Sequence, residues 1–205
     1  MNHEPWSKVV DSREEQRRKK RQAVLEAGAY LFNEHGFERT SLDDLARQLG
    51  VTKRTLYYYV QSKEEILMEC IRQGMDFLDT IIDASQKRTS APVERITLIM
   101  AEYARWVSTD FGASLVLTRE NLLLDDMRND LRASKARLDH QMRDAITRGI
   151  ASGDIAPCDP RLVSAAIFGA LNWVPYWNRK ADPVPVEEIV QQFKQTFLHG
   201  LVHTG

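Results

Sequence analysis

Apolar residues recur along this chain at spacings of three and four, and no segment keeps the every-second-residue alternation of a half-buried strand. Val24, Ala27 and Leu31, with Phe32 on the flank, predict a helix that starts after Ser12 and Arg13. It should stop at His35-Gly36, because glycine accepts the left-handed conformation common just past a helix end. Ser41 with Asp44 resembles a capping box, and Leu42, Leu45, Ala46 and Leu49 form the buried stripe of a short helix closed by Gly50. Thr52 is the expected N-cap of a third short helix running to about Tyr59. Ser62 and Glu65 form a second capping box. The helix behind it carries Ile66, Leu67, Cys70, Ile71, Phe77, Leu78, Ile81 and Ile82, about five turns.

A polar linker is expected at Gln86-Lys87-Arg88-Thr89-Ser90, and Pro92 suits the first turn of the next helix. Val93, Ile96, Ile99, Met100, Tyr103 and Trp106 make up its apolar side. Asp110-Phe111-Gly112 breaks that pattern, and a short apolar helix is expected from Leu115 to Leu124. A long amphipathic helix opens at Asp125 or Asp126, carries Met127, Leu131, Leu138, Met142, Ala145, Ile146 and Ile150, and ends at Gly153 and Pro157. Two last helices, roughly Pro160 to Arg179 and Val186 to Val202, flank Asp182-Pro183-Val184-Pro185. The fold class predicted is all-α.

Composition agrees. The 205 residues include 10 Gly and 7 Pro, with no proline between Pro5 and Pro92, which argues against a turn-rich sandwich or barrel. Two cysteines, Cys70 and Cys158, exclude a disulfide framework and fit a reduced, cytoplasmic chain. The N-terminal residues lack the apolar core of a signal peptide, and no run of apolar residues suits a bilayer, so no membrane partner is expected. With 28 basic against 29 acidic residues, the whole-chain charge gives no sign of a nucleic-acid partner.

The distribution of that charge changes the picture. Between Arg13 and Arg21 six basic residues face two acidic ones, and residues 1–60 hold eleven basic against nine acidic. The rest of the chain holds 17 basic against 20 acidic. Two short helices joined at Gly50 form a helix-turn-helix pattern. The second, Thr52-Lys53-Arg54-Thr55-Leu56-Tyr57-Tyr58-Tyr59, has one deeply apolar residue, Leu56. A helix made only for a core would not carry this chemistry. Arg and Lys reach guanine O6 and N7, while hydroxyls and phenols reach phosphates.

From Arg21 to Leu67 the chain resembles the DNA-binding domain of TetR-family transcriptional regulators, through Ala27-Gly28-Ala29-Tyr30-Leu31-Phe32, His35-Gly36-Phe37, Thr40-Ser41-Leu42-Asp43-Asp44-Leu45-Ala46, Leu49-Gly50-Val51 and Thr55-Leu56-Tyr57-Tyr58-Tyr59-Val60-Gln61-Ser62-Lys63-Glu64-Glu65-Ile66-Leu67. The resemblance implies a homodimeric regulator in two parts. Residues 13–62 would form the three-helix DNA-binding domain and residues 63–205 a helical effector-binding and dimerisation domain. By matching position Lys53, Arg54 and Thr55 face bases or nearby phosphates, and Tyr57, Tyr58 and Tyr59 contact DNA. Thr40, Ser41, Thr52 and Lys63 complete the DNA-binding set, with Thr40, Thr52 and Lys63 clamping phosphates; capping is the other role open to Thr52. Position 54 is often Gly or another small residue in the family, so Arg54 adds a potential guanine reader.

The last two helices are broadly apolar. Val163, Ile167 and Leu171 line one and Val190, Phe193, Phe197 and Leu201 the other. In relatives of the family such helices pair across a dimer; here they either do so or complete their own domain's core. Met100, Tyr103, Trp106, Phe111, Phe168, Asn172, Trp173, Tyr176 and Trp177 are candidate pocket residues, since the family commonly holds an apolar pocket in this domain. Gly169-Ala170-Leu171-Asn172-Trp173, Leu198-His199-Gly200-Leu201, Arg119-Glu120 and Arg148-Gly149-Ile150 resemble the branch that answers to fatty acyl-CoA; Pro175 and Asn178 depart from it. Arg105, Arg119 and Arg179 are candidate cations for the head of such an effector. Drug-like compounds, with a role in efflux control, are the alternative.

An effector releases DNA only by favouring the arrangement that cannot bind it. The helix from Lys63 to about Ser85 joins the two parts and is the expected lever, because a dimer needs its recognition helices roughly 34–36 Å apart. An enzyme, or an adaptor that does not bind DNA, is the rival class. No G-x-S-x-G elbow, phosphate-binding glycine loop or H-E-x-x-H motif is present. His199 and His203 sit four apart with no nearby carboxylate, and nothing beside Cys158 would activate its thiol. No catalytic residue, metal or cofactor is implied.

Overall fold

The computed structural model describes the backbone of residues 6–178 and 182–199, and side chains from residue 12 onward within those ranges. Nine α-helices and no strands occur among the described residues: α1 (Trp6–His35), α2 (Leu42–Leu49), α3 (Lys53–Tyr57), α4 (Lys63–Arg88), α5 (Pro92–Val107), α6 (Asp110–Leu117), α7 (Asp125–Ser152), α8 (Pro160–Trp177) and α9 (Val186–His199). The all-α prediction holds. Several boundaries differ from the sequence pattern, each for a local reason. α1 begins at Trp6, because no glycine or proline interrupts residues 6–13. α4 runs on through Gln86-Lys87-Arg88, whose side chains are good helix formers.

The chain divides into two compact units, Met1–Cys70 and Ile71–Gly205. The division falls inside α4, eight residues after the boundary expected at 62/63. The first turns of α4 explain it: Ile66, Leu67 and Cys70 are fully buried with Leu25 and Ala29 of α1. The two helices approach closely at Gly28, where an added Cβ would lie 2.5 Å from Ile66 Cγ2. Burial pushes the Cys70 thiol up to about 12, and its S–H donates to the Leu25 carbonyl at 3.8 Å. Cys70 packs and does not react.

In the second unit α5 packs against α6, α7, α8 and α9. Ile96, Ile99, Met100, Ala104 and Val107 bury one side of it, against Leu131, Leu138, Met142 and Ile146 of α7. Asp110-Phe111-Gly112 does not break the helical pattern as expected. It is the first turn of α6, with the Thr109 hydroxyl accepting from the Gly112 N–H at 3.1 Å. The expected helix to Leu124 is replaced by a 3-10 turn at Glu120–Leu122. Pro175 leaves α8 unbroken to Trp177. Asn178 then closes the connection to α9 by bonding both backbone groups of Val184, at 2.8 and 2.9 Å.

Candidate nucleic-acid interface and effector cavity

The helix-turn-helix is built by its caps. Ser41 Oγ accepts from the Asp44 N–H at 3.2 Å, and the Asp44 carboxylate accepts from the Ser41 N–H at 3.0 Å. The Ser41 hydroxyl also donates to that carboxylate at 2.6 Å, and this bond first, then those from the Ser41 N–H and Arg47, hold the Asp44 carboxyl below the usual carboxylate range. Gly50 ends α2 at φ 64°, a left-handed geometry that would strain another residue. Thr52 then caps α3, accepting from the Thr55 N–H at 3.2 Å. The single turn and a half of α3 hangs on Leu56, which is fully buried. Removing that much apolar surface from water stabilises by about 2 kcal/mol, enough to fix which face looks outward.

That outer face carries the predicted residues. Thr52, Lys53, Arg54, Thr55, Tyr57 and Tyr58 are exposed, Tyr58 by 68%, and Tyr59 is half-buried. α3 ends at Tyr57, two residues before the expected stop, because the Tyr59 and Val60 N–H groups turn back onto the Leu56 carbonyl and Val60 is buried. Lys53 Nζ donates to Asp43 Oδ2 at 2.8 Å, which raises its pKa. Arg54 has no side-chain partner among the described residues. The basic segment of α1 lies alongside: Arg17 sits over the Tyr58 ring at 5.6 Å. Arg17, Arg18 and Arg21 border a cleft of about 480 Å³ with Tyr57, Tyr58 and Tyr59.

Two of the predicted phosphate clamps face inward instead. Thr40 is only 4% exposed, and its hydroxyl contacts the Gly36 and Leu31 carbonyls at 2.9 and 3.3 Å. Lys63 Nζ donates to the carbonyls of Phe37 and Thr40 at 2.9 and 3.1 Å, reaches that of Glu38 at 3.4 Å, and lies over the Phe37 ring. Its three protons thus tie down the loop ahead of α2. Both residues position the helix-turn-helix rather than presenting free donors to DNA.

In the second unit Tyr103, Phe168, Asn172, Trp173 and Tyr176, five of the predicted pocket residues, line one cavity of about 440 Å³. α4 adds Leu78, α6 Val116, and α7 Lys135, Leu138 and Asp139. Tyr103 donates to Asn172 Oδ1 at 2.6 Å, and burial pushes its phenol pKa up. Met100 and Trp106 are core residues, Trp106 stacking on Phe77 at 5.4 Å. Phe111, Arg119 and Trp177 line neither this cavity nor the larger one described next. Sequence reasoning missed Lys135, although the signal was present: it stands four after Leu131 and three before Leu138, on the apolar stripe of α7. Burial holds its ammonium below the ordinary lysine value.

A larger cavity of about 900 Å³ opens among α5, α8 and α9, with Arg105, Val163, Ile167, Phe197 and Cys158 on its walls. Arg105 is not a loose cation there, since Glu187 holds it at 2.8 and 3.0 Å and Glu102 at 3.2 Å. Arg179 lies outside the described residues. Among those residues no His, Cys, Asp and Glu cluster could hold a metal, and no helix is long and apolar enough to cross a membrane.

The predicted dimer residues divide by their burial. Ile167, Leu171 and Val190 are buried within their own subunit, while Val163, Phe193 and Phe197 are half-buried. The first three therefore complete the subunit's core. Leu201 lies outside the described residues. The outward face of α8 is a different stripe, Leu162, Ala166, Gly169, Trp173 and Tyr176, with Leu162 70% and Trp173 60% exposed. Trp173 and Tyr176 stack on each other at 4.7 Å. Leu162, Trp173 and Tyr176 are its large exposed side chains.

Known proteins share this architecture. Residues 24–70 match the bacterial regulatory proteins of the tetR family, and residues 89–201 match the tetracyclin repressor-like C-terminal domain. The fatty acid metabolism regulator protein of Bacillus subtilis (strain 168) is 24% identical over 194 residues, spanning 90% of this chain and 98% of the relative. The crystal structure of PfmR from Thermus thermophilus, a TetR family transcriptional regulator, is 31% identical with a TM-score of 0.74, covering 88% of this chain and 99% of that one. AibR in complex with isovaleryl coenzyme A and operator DNA superposes with a TM-score of 0.73 at 24% identity, covering 87% and 97%.

Proposed function

Because the chain belongs to the TetR family of bacterial regulatory proteins, we propose that it represses transcription as a homodimer on a palindromic operator and lets go when a hydrophobic acyl effector binds. It is a DNA-binding transcriptional regulator rather than an enzyme. The observation that carries the proposal is α3, a short helix anchored by buried Leu56 that presents Lys53, Arg54, Thr55, Tyr57 and Tyr58 outward. A helix of this kind reads a major groove, while the arginines of α1 and the flanking hydroxyls meet phosphate.

The outward stripe of α8 supports the homodimer: a two-fold pair buries one such patch against itself. The cavity around Tyr103 and Asn172, which shares Trp173 and Tyr176 with that stripe, supports an effector site, being mostly apolar with a few polar groups. An acyl effector is favoured because the Bacillus relative is named a fatty acid metabolism regulator and AibR was solved with isovaleryl coenzyme A. α4 provides the covalent path for release, with Leu67 in one unit's core and Leu78 at the cavity wall.

The test is a gel-shift titration on the palindrome upstream of the protein's own gene. Affinity should fall by orders of magnitude between 50 and 200 mM salt. The double variant Lys53→Ala and Arg54→Ala should lose the shift while keeping its helicity. Acyl-CoA should release the operator and cationic dyes should not. Salt-independent binding, or full affinity of the double variant, would refute the reading.

A further inference from the structure

The cavity of the second unit has an uneven supply of hydrogen-bonding groups. Its carbonyl-type acceptors are engaged already. Asn172 Oδ1 takes the Tyr103 proton at 2.6 Å, while the Asp139 carboxylate accepts from Ser164 at 2.6 Å and pairs with Arg143. Its donors are open. The Asn172 amide nitrogen has two protons and bonds no described group. Lys135 lines the same cavity without a hydrogen bond or ion pair among the described residues. Glu120, which acts on Lys135 through space, is held by Arg132 at 2.7 Å.

The remaining wall, from Leu78, Val116, Leu138 and Phe168, is apolar. A half-buried lysine on such a wall is partly withdrawn from water with Glu120 acting only through space and no carboxylate in ion-pair contact, a loss that an incoming acceptor removes. The volume, about 440 Å³, lies in the lower part of the range for small-molecule sites. It accommodates a compact acyl body and leaves a bulky nucleotide outside.

We propose that Lys135 and Asn172 together recognise the acyl oxygen of the effector, a carboxylate or thioester carbonyl carried on a short or medium-length apolar body. Both side chains donate to that oxygen, and Phe168 and Leu138 cover the body. The inference rests on the effector-responsive reading above and assigns the recognition chemistry of that same cavity.

The experiment uses the full chain without DNA, following tryptophan fluorescence and calorimetry with octanoate, octanoyl-CoA and octylamine. Octanoate or octanoyl-CoA should bind at least about tenfold tighter than octylamine, which offers a donor where the cavity needs an acceptor. Which of the two acyl probes binds tighter identifies the source, free acid or thioester. Lys135→Met should weaken that probe by about tenfold or more, and Lys135→Arg should restore most of the loss. Octylamine binding as tightly as the acyl probes, no binding by any of the three, or an unchanged acyl affinity in a cooperatively melting Lys135→Met would each overturn the proposal. Because DNA is absent, such a failure leaves operator recognition standing. Failure of the unliganded wild-type chain to shift its operator would instead remove the reading beneath it.

Discussion

Tyr103 donates its phenolic proton to Asn172 Oδ1 at 2.6 Å and so joins α5 to α8 at the wall of the cavity. Tyr103 is almost wholly buried, and that burial pushes its phenol pKa up, favouring the protonated donor. Replacing it with Phe removes the donor and leaves a carbonyl unpaired. Tyr103→Phe should destabilise the protein by about 1–2 kcal/mol. For a chain of this size the melting temperature should drop by roughly 2–8 °C, measured by calorimetry. An unchanged melting temperature would mean that Asn172 finds another partner.

Lys63 separates a structural role from a DNA-contacting one. With its ammonium on the carbonyls of Phe37 and Thr40, Lys63→Met should lower the melting temperature while leaving the salt slope of operator binding as it is. A lysine that neutralises a phosphate would reduce that slope by about 1 when removed. Titrations at four salt concentrations distinguish the two.

The close approach of α1 to α4 makes a sharp steric prediction. An alanine Cβ at position 28 would meet Ile66 Cγ2 at 2.5 Å, and a β-branched side chain in a helix has little freedom to turn away. Gly28→Ala should therefore cost about 1–3 kcal/mol of overpacking, offset by roughly 1 kcal/mol of improved helix propensity. Adding Ile66→Leu moves the branch off Cβ, so the double variant should be more stable than Gly28→Ala alone in urea unfolding.

Leu162→Asp combined with Trp173→Asp should convert the proposed homodimer to monomers that keep their helical content, because both side chains stand exposed on the outward stripe of α8. Light scattering after gel filtration reads the mass directly. A persistent dimer of the double variant would move the interface elsewhere.

Asp44 gives a pH dependence. Its folded-state pKa is depressed, first by the bond from the Ser41 hydroxyl and then by that from the Ser41 N–H. The contribution to stability is complete above the ordinary carboxylate pKa and disappears as pH falls through the lowered value. The gap in stability between the wild type and Asp44→Asn should therefore narrow from pH 6 to pH 3, which a denaturation series would record.

Much of this was legible in the sequence because its signals are local. Ser41-Asp44, Gly50 and Thr52 each act within a few residues, and they set α2 and α3 where the spacing placed them. Tyr103 and Asn172 could be nominated from the chain, and the fold brought them together. What escaped depends on which face of a helix turns inward. Ile167 and Leu171 read as interface residues, but a stripe of apolar positions looks alike whether it meets its own core or a second subunit. Thr40 and Lys63 escaped for a related reason: a hydroxyl or ammonium near a helix start serves a phosphate or a backbone carbonyl equally well, and only three-dimensional distance decides between them.

The ion pair between Lys53 and Asp43 has a consequence for how the protein searches a chromosome. In the DNA-binding role proposed above, the lysine exchanges one anion for another, so Asp43 lowers the gain from that contact at the operator and elsewhere alike. A uniform penalty leaves the ratio of the two affinities unchanged and shortens residence on both, so the choice of site rests with the base contacts of the neighbouring side chains.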